Sequence, residues 1–105
     1  MANEPVKPHP AQMLATIHKC VDERRILYST HALDRLSERG IYRVDVETVL
    51  RFGSIVGHIE AARGAGEWQS KIVGGLDRTS RKVGVVTVVL HDERLLIETT
   101  EWEDR

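Results

Sequence analysis

The sequence predicts an α+β domain in which two or three N-terminal helices pack on a four-stranded antiparallel sheet. Three observations carry this expectation. As far as Gly53, apolar residues recur at spacings of three and four, the period of a helix face. Beyond Gly53 the period falls to two and the composition turns to Val, Ile and Thr, which suit a pleated surface. Glycines at Gly40, Gly53, Gly64, Gly66, Gly74 and Gly75 punctuate the segments between.

The helices follow in order. Pro5, Pro8 and Pro10 mark residues 1–10 as an extended, flexible tail, and residues 11–105 as a single domain. Met13, Leu14, Ile17, Cys20 and Val21 place a first helix from Ala11 to about Arg25, and Ile26 to Ser29 reads as a break. Thr30 is an N-cap for a second helix, His31 to Arg39, with Ala32, Leu33 and Leu36 on one side and Gly40 as a left-handed stop. Val46, Val49 and Leu50 anchor a third helix, Val44 to Phe52, which Gly53 ends in the same way.

The strands are expected at Ser54 to Ala62, Glu67 to Val73, Lys82 to Leu90 and Leu95 to Trp102. Arg63-Gly64-Ala65-Gly66, a loop from Gly74 to Arg81 and a turn from His91 to Arg94 connect them. The Lys82 strand is apolar on both sides, with Val83, Val85 and Val89 against Val86, Val88 and Leu90, so it is the expected central strand, covered on both faces.

Composition excludes several function classes. A chain of 105 residues builds one core, and 41% hydrophobic with 30% charged residues is the balance of a folded domain. The formal net charge of −1 supplies no global field for nucleic acid, so anion binding must come from a local patch. Cys20 is the one cysteine, which rules out an internal disulfide and fits the reducing cytoplasm; set in an apolar helix, it is assigned no role. No apolar stretch is long enough to span a bilayer or serve as a signal peptide.

Two cationic groupings stand out. Arg63, Lys71, Arg78, Arg81 and Lys82 fall in and between the second and third strands, opposed only by Glu67 and Asp77. His31, Arg35 and Arg39, spaced by four, form a stripe along one helix that suits an anion or a partner, or that pairs with Asp34 and Glu38 as structure. His9, His18, His31, His58 and His91 show no ligand spacing, so no metal site is expected. No glycine-rich phosphate loop opens a helix and no nucleophile turn is present, so nucleotide cofactors and covalent hydrolysis have no anchor.

The segment Ser29-Thr30-His31-Ala32-Leu33-Asp34-Arg35-Leu36-Ser37-Glu38-Arg39-Gly40-Ile41, followed by Val44 to Gly53, resembles the bacterial domain of unknown function 4258 family. That family's mark is His-Ala-x-x-Arg-x-x-x-Arg-Gly-Ile ahead of a small sheet, and it brings no settled activity. Trp68-Gln69 and the valine-rich strand ending in His91-Asp92 also resemble the motility quorum-sensing regulator toxins of the RelE-like messenger-RNA interferase superfamily. That resemblance implies a RelE-like fold, metal-independent cleavage of RNA and restraint by an antitoxin protein. It places Gln69 at a catalytic glutamine, while a tyrosine of those toxins falls where Gly84 stands.

A metal-free ribonuclease needs a base for the 2′-hydroxyl, cations for the phosphorane and an acid for the leaving oxygen. The expected catalytic set is Gln69, Lys71, Lys82 and His91; Arg63, Arg78, Arg81 and His58 are the expected RNA contacts. Strand alternation puts Gln69 with Lys71 on one face and sends Trp68 under the helices. The expectation is therefore a cytoplasmic RelE-like toxin-type endoribonuclease without cofactor. The competing readings are a non-catalytic RNA- or protein-binding module of the same fold and, third, a regulatory partner.

Overall fold

The computed structural model describes residues 6–104. Its elements are α1 (Pro10–Asp22), β1 (Ile26–Tyr28), α2 (Thr30–Arg39), α3 (Arg43–Phe52), β2 (Ser54–Ala61), β3 (Trp68–Leu76), β4 (Thr79–Val89) and β5 (Leu95–Trp102). The α+β class and the three helices stand as expected. The sheet has five strands rather than four, in the order β1-β5-β4-β3-β2, and it is mixed, because β1 runs parallel to β5.

The added strand is the segment read as a break. Ile26, Leu27 and Tyr28 pair with Leu95, Leu96 and Ile97. Three residues are too few to display a period of two, so only the distant partner reveals the strand. The loop expected from Gly74 to Arg81 is likewise mostly strand, and β3 and β4 meet across the short turn Asp77-Arg78. Gly74 and Gly75, depleted in strands as a rule, disguised the extension.

Helix ends carry local reasons. Pro10, assigned to the tail, is the first helical residue, where a missing N–H costs nothing, and His9 caps it. The α2 cap is Ser29 rather than Thr30: its Oγ accepts from Ala32 N at 2.9 Å. Gly40 ends α2 with φ 65°, the left-handed geometry expected. Gly53 does not repeat it, since its φ is −81°; a Cβ there would lie 2.6 Å from Val49 O and 2.7 Å from Val73 O. Gly53 is needed because α3 ends against the sheet, not because the chain turns left-handed.

α2 lies along β5, where Arg39 donates to Thr100 O and Trp102 Nε1 donates to Arg39 O, and α1 and α3 cover one face. Met13, Ile17, Val46, Val49, Leu50, Ile72, Val83, Val85, Leu95 and Ile97 are buried there, and Trp68 packs against them as alternation required. β4 is the central strand of the sheet. The other face has no helix layer among the described residues, so the expected double cover of β4 is met only in part: Val86 is half-buried there, and Val56 on the outer strand β2 is 41% exposed. Val88, only 3% exposed, is closed in by its neighbours on that same side. No described helix is long and apolar enough to cross a membrane.

Candidate functional site

The register of the sheet decides which residues meet on the open face. Gln69 pairs with Val88 and Lys71 with Val86, so Gln69 and Lys71 share the open face as expected. Lys71 is engaged there, with Nζ 3.1 Å from Glu101 and 2.9 Å from Glu103. Those carboxylates, Glu103 first, raise its pKa above the ordinary lysine value. A side chain at Gly84 would run into this pair, 2.7 Å from Lys71 Cε. The space beside Gly84 is thus filled by Lys71 and Glu103.

At the other end of the face, two turns build a different cluster. The β2–β3 turn closes through Ala62 N–H donating to Glu67 O at 2.9 Å and Glu67 N–H donating to Gly64 O at 3.1 Å. Gly66 supplies its left-handed residue, φ 76°. Gly64 leaves open the space into which the Glu67 carboxyl folds back. The β4–β5 turn, expected from His91 to Arg94, is closed by Leu90 N–H donating to Arg94 O and presents His91. The pairing of Trp68 with Val89 brings the two turns side by side.

His91 Nδ1 lies 2.9 Å from Glu67 Oε2, and the His91 main-chain N–H donates to the same oxygen at 3.3 Å. The His91 ring, then that N–H, hold the Glu67 carboxyl below the usual carboxylate range. An ionised carboxylate only accepts, so Nδ1 is the ring nitrogen that carries the hydrogen in this contact. His91 itself is open to solvent, its side chain 74% exposed.

Glu67 also lines a groove of about 390 Å³ with Ser29, His31, Arg63, Val88, Leu90, Leu96 and Glu98. Gln69 is cross-strand neighbour to Val88 on its floor. Of the expected site residues, Arg63 and His31 line this groove; His91 reaches it only through its contact with Glu67 and itself lines a neighbouring pocket with residues of α1, and Gln69 adjoins it through its pairing with Val88. Glu67, Glu98 and Ser29 also line the groove without having been singled out. A carboxylate after Gly64-x-Gly was the only sign of Glu67, and the fold of two turns together was needed to read it.

The remaining candidates lie elsewhere. Arg78 is held by Asp45 and Gly40 O at the opposite end of the sheet and stacks 4.8 Å above Tyr42. Arg81 pairs with Asp104 and lies 3.9 Å over Trp102. Lys82 faces Gly75 near the same hairpin end, and His58 is exposed in the irregularity of β2 between Val56 and Glu60. The helical stripe is divided: His31 lines the groove, Arg35 pairs with Glu38, and Arg39 donates to Thr100 O. Cys20 donates to Glu93 O, and burial pushes its thiol above the ordinary value. Among the described residues no group of three His, Cys, Asp or Glu side chains is placed to hold a metal.

The fold and site define an α+β domain with helices on one sheet face and a polar groove at the end of the other. Residues 28–101 match the family model of a domain of unknown function, DUF4258, and the chain belongs to that family. No curated protein and no solved structure matches it.

Proposed function

We propose that the chain is a metal-independent endoribonuclease of the RelE-like toxin type, acting on messenger RNA in the cytoplasm under the restraint of an antitoxin protein. The observation that carries this reading is the Glu67–His91 pair beside a groove lined by His31 and Arg63. A carboxylate that fixes the hydrogen on one ring nitrogen is the arrangement of a positioned general base.

In the proposed reaction His91 Nε2 accepts the proton of the 2′-hydroxyl, whose oxygen attacks phosphorus. The bond to the 5′-oxygen breaks, and His31 in its protonated form donates the proton that oxygen needs. The products are a 2′,3′-cyclic phosphate and a free 5′-hydroxyl. Arg63 offsets the charge on the phosphorane oxygens, and Gln69, on the adjoining strand, orients the sugar.

The test is incubation of end-labelled messenger RNA with the purified protein in excess chelator, with the cut ends characterised. Cyclic phosphate termini that disappear in His91→Ala support the reading; intact RNA with wild-type protein removes it.

One observation favours the second reading, a non-catalytic binding module. Lys71 is neutralised by Glu101 and Glu103, and the open face around it carries Val56, Val73, Val86 and Leu27. Such a face suits contact with protein better than with phosphate. Unhindered growth of a bacterial host expressing the chain, with its messenger RNA intact, is the outcome this reading expects.

A further inference from the structure

We propose that the groove is a guanine slot in which the Glu98 carboxylate reads the base. This deepens the ribonuclease reading and rests on it. The exposed apolar part of the groove is made by Leu90 and Leu96, with Val88 almost closed off beneath them, and it accepts the flat face of a base. Its volume of about 390 Å³ lies in the range of small-ligand clefts. Arg63 and His31 on the rim supply the donors for the phosphate attached to that base.

Glu98 is placed there by a break in the ladder. Thr99 pairs with Val86 and Ile97 with Thr87, so Glu98 is the extra residue of a bulge in β5. Bulges re-aim a side chain and recur beside functional sites. The bulge is pinned to α2: Ser29 Oγ donates to Glu98 O at 3.0 Å while accepting from Ala32 N. That one hydroxyl ties the position of Glu98 to the helix turn carrying His31.

Glu67 is taken by His91, and Glu101 and Glu103 by Lys71. The Glu98 carboxylate makes no ion pair and accepts no hydrogen bond among the described residues. A carboxylate offers acceptors alone. Guanine is the one base whose Watson–Crick edge presents two adjacent N–H donors, N1–H and the 2-amino group. Adenine and cytosine set one amine beside an acceptor, and uracil sets one N–H between two carbonyls. A free carboxylate over an apolar floor therefore selects guanine and leaves each of the others with an unpaired or repelled atom.

The test uses fluorescein-labelled, uncleavable 2′-O-methyl oligouridines carrying a single central guanosine, inosine or adenosine, with binding followed by anisotropy. Wild-type protein is expected to hold the guanosine probe at least about tenfold more tightly than the adenosine probe, with inosine, which lacks the 2-amino group, in between. Glu98→Gln, which replaces one acceptor by a donor, is expected to erase the difference while the circular dichroism stays unchanged. Equal binding of all three probes by wild-type protein overturns the guanine slot and leaves RNA binding standing. A guanine preference that survives Glu98→Gln overturns Glu98 as the reader. Failure to bind any probe overturns this proposal and the ribonuclease reading together. The comparison of probes on wild-type protein keeps the proposal testable even where the variant does not fold.

Discussion

Arg78 closes on Asp45 through two hydrogen bonds, Nη2 to Oδ2 at 2.7 Å and Nε to Oδ1 at 3.2 Å. Asp45 also accepts from the Tyr42 N–H at 2.9 Å, completing the cap of α3. Asp45 is 5% exposed, and its carboxylate joins the first turn of α3 to the β3–β4 hairpin. The Arg78 guanidinium holds the Asp45 carboxyl below the usual carboxylate range, against the opposing effect of burial.

A stability change with pH follows from that link. The unfolded chain takes up the proton at the ordinary value of about 4, above the folded one. The stabilisation is thus fully present above that pH and is lost as pH falls through the depressed folded value. Asp45→Asn is expected to lower stability at neutral pH by about 1–3 kcal/mol and to flatten the acid limb. Urea midpoints at pH 7 and pH 3 for both proteins check it; parallel acid limbs would show that Asp45 is not the group. Arg78→Ala should lower the midpoint while leaving RNA affinity as it is.

Gly53 and Gly74 mark where α3 meets the sheet. A Cβ at Gly74 would lie 3.0 Å from Gly53 Cα, and one at Gly53 would press on two main-chain oxygens. Neither backbone can move without shifting a helix or a strand. Gly53→Ala is expected to cost about 1–3 kcal/mol, as overpacking does. Gly40→Ala places a side chain in open space and carries only the left-handed backbone penalty, about 1 kcal/mol. Thermal unfolding of the two variants should therefore rank Gly53→Ala below Gly40→Ala.

These glycines also show what was legible in the sequence. The helices could be read because Met13, Ile17 and Val21, or Val46, Val49 and Leu50, repeat the helical period within a few residues. Gly53 was read correctly as an end, but its reason, a tertiary approach to Val73, has no local signature. β1 was invisible for the same cause, since its pairing with Leu95–Ile97 spans most of the chain. In the site, Gln69 and Lys71 sharing a face followed from alternation alone. The Glu67–His91 contact did not, because it joins two turns through the register of β3 on β4.

Ser29 links the groove to the fold. Its hydroxyl accepts from Ala32 N at 2.9 Å and donates to Glu98 O at 3.0 Å. Ser29→Ala removes both bonds, so a loss of about 1–2 kcal/mol is expected. Ser29→Thr keeps the hydroxyl and should recover most of it. Chemical denaturation of the pair measures the difference; equal losses in both variants would mean that the hydroxyl contributes little.

His91 and Glu67 give the sharpest activity prediction. If His91 is the base, His91→Ala should lower RNA cleavage by about 10²–10⁴-fold, the usual scale of general base catalysis. Glu67→Gln keeps the size of the side chain but turns an acceptor-only carboxylate into an amide that also donates, so the His91 ring is no longer fixed in one tautomer. Its cleavage rate should fall less than that of His91→Ala, with substrate affinity little changed, because Glu67 acts through His91. Acidification adds a second check. The Glu67 carboxyl sits below the usual range, so it stays ionised to lower pH than a free glutamate, and the pair breaks only as pH falls through that depressed value. Cleavage lost at mildly acidic pH is therefore not assigned to protonation of Glu67. Lys82→Ala and Arg78→Ala, at the far end of the sheet, should cleave as wild type does. A loss of cleavage in those variants equal to that in His91→Ala would move the site away from the groove.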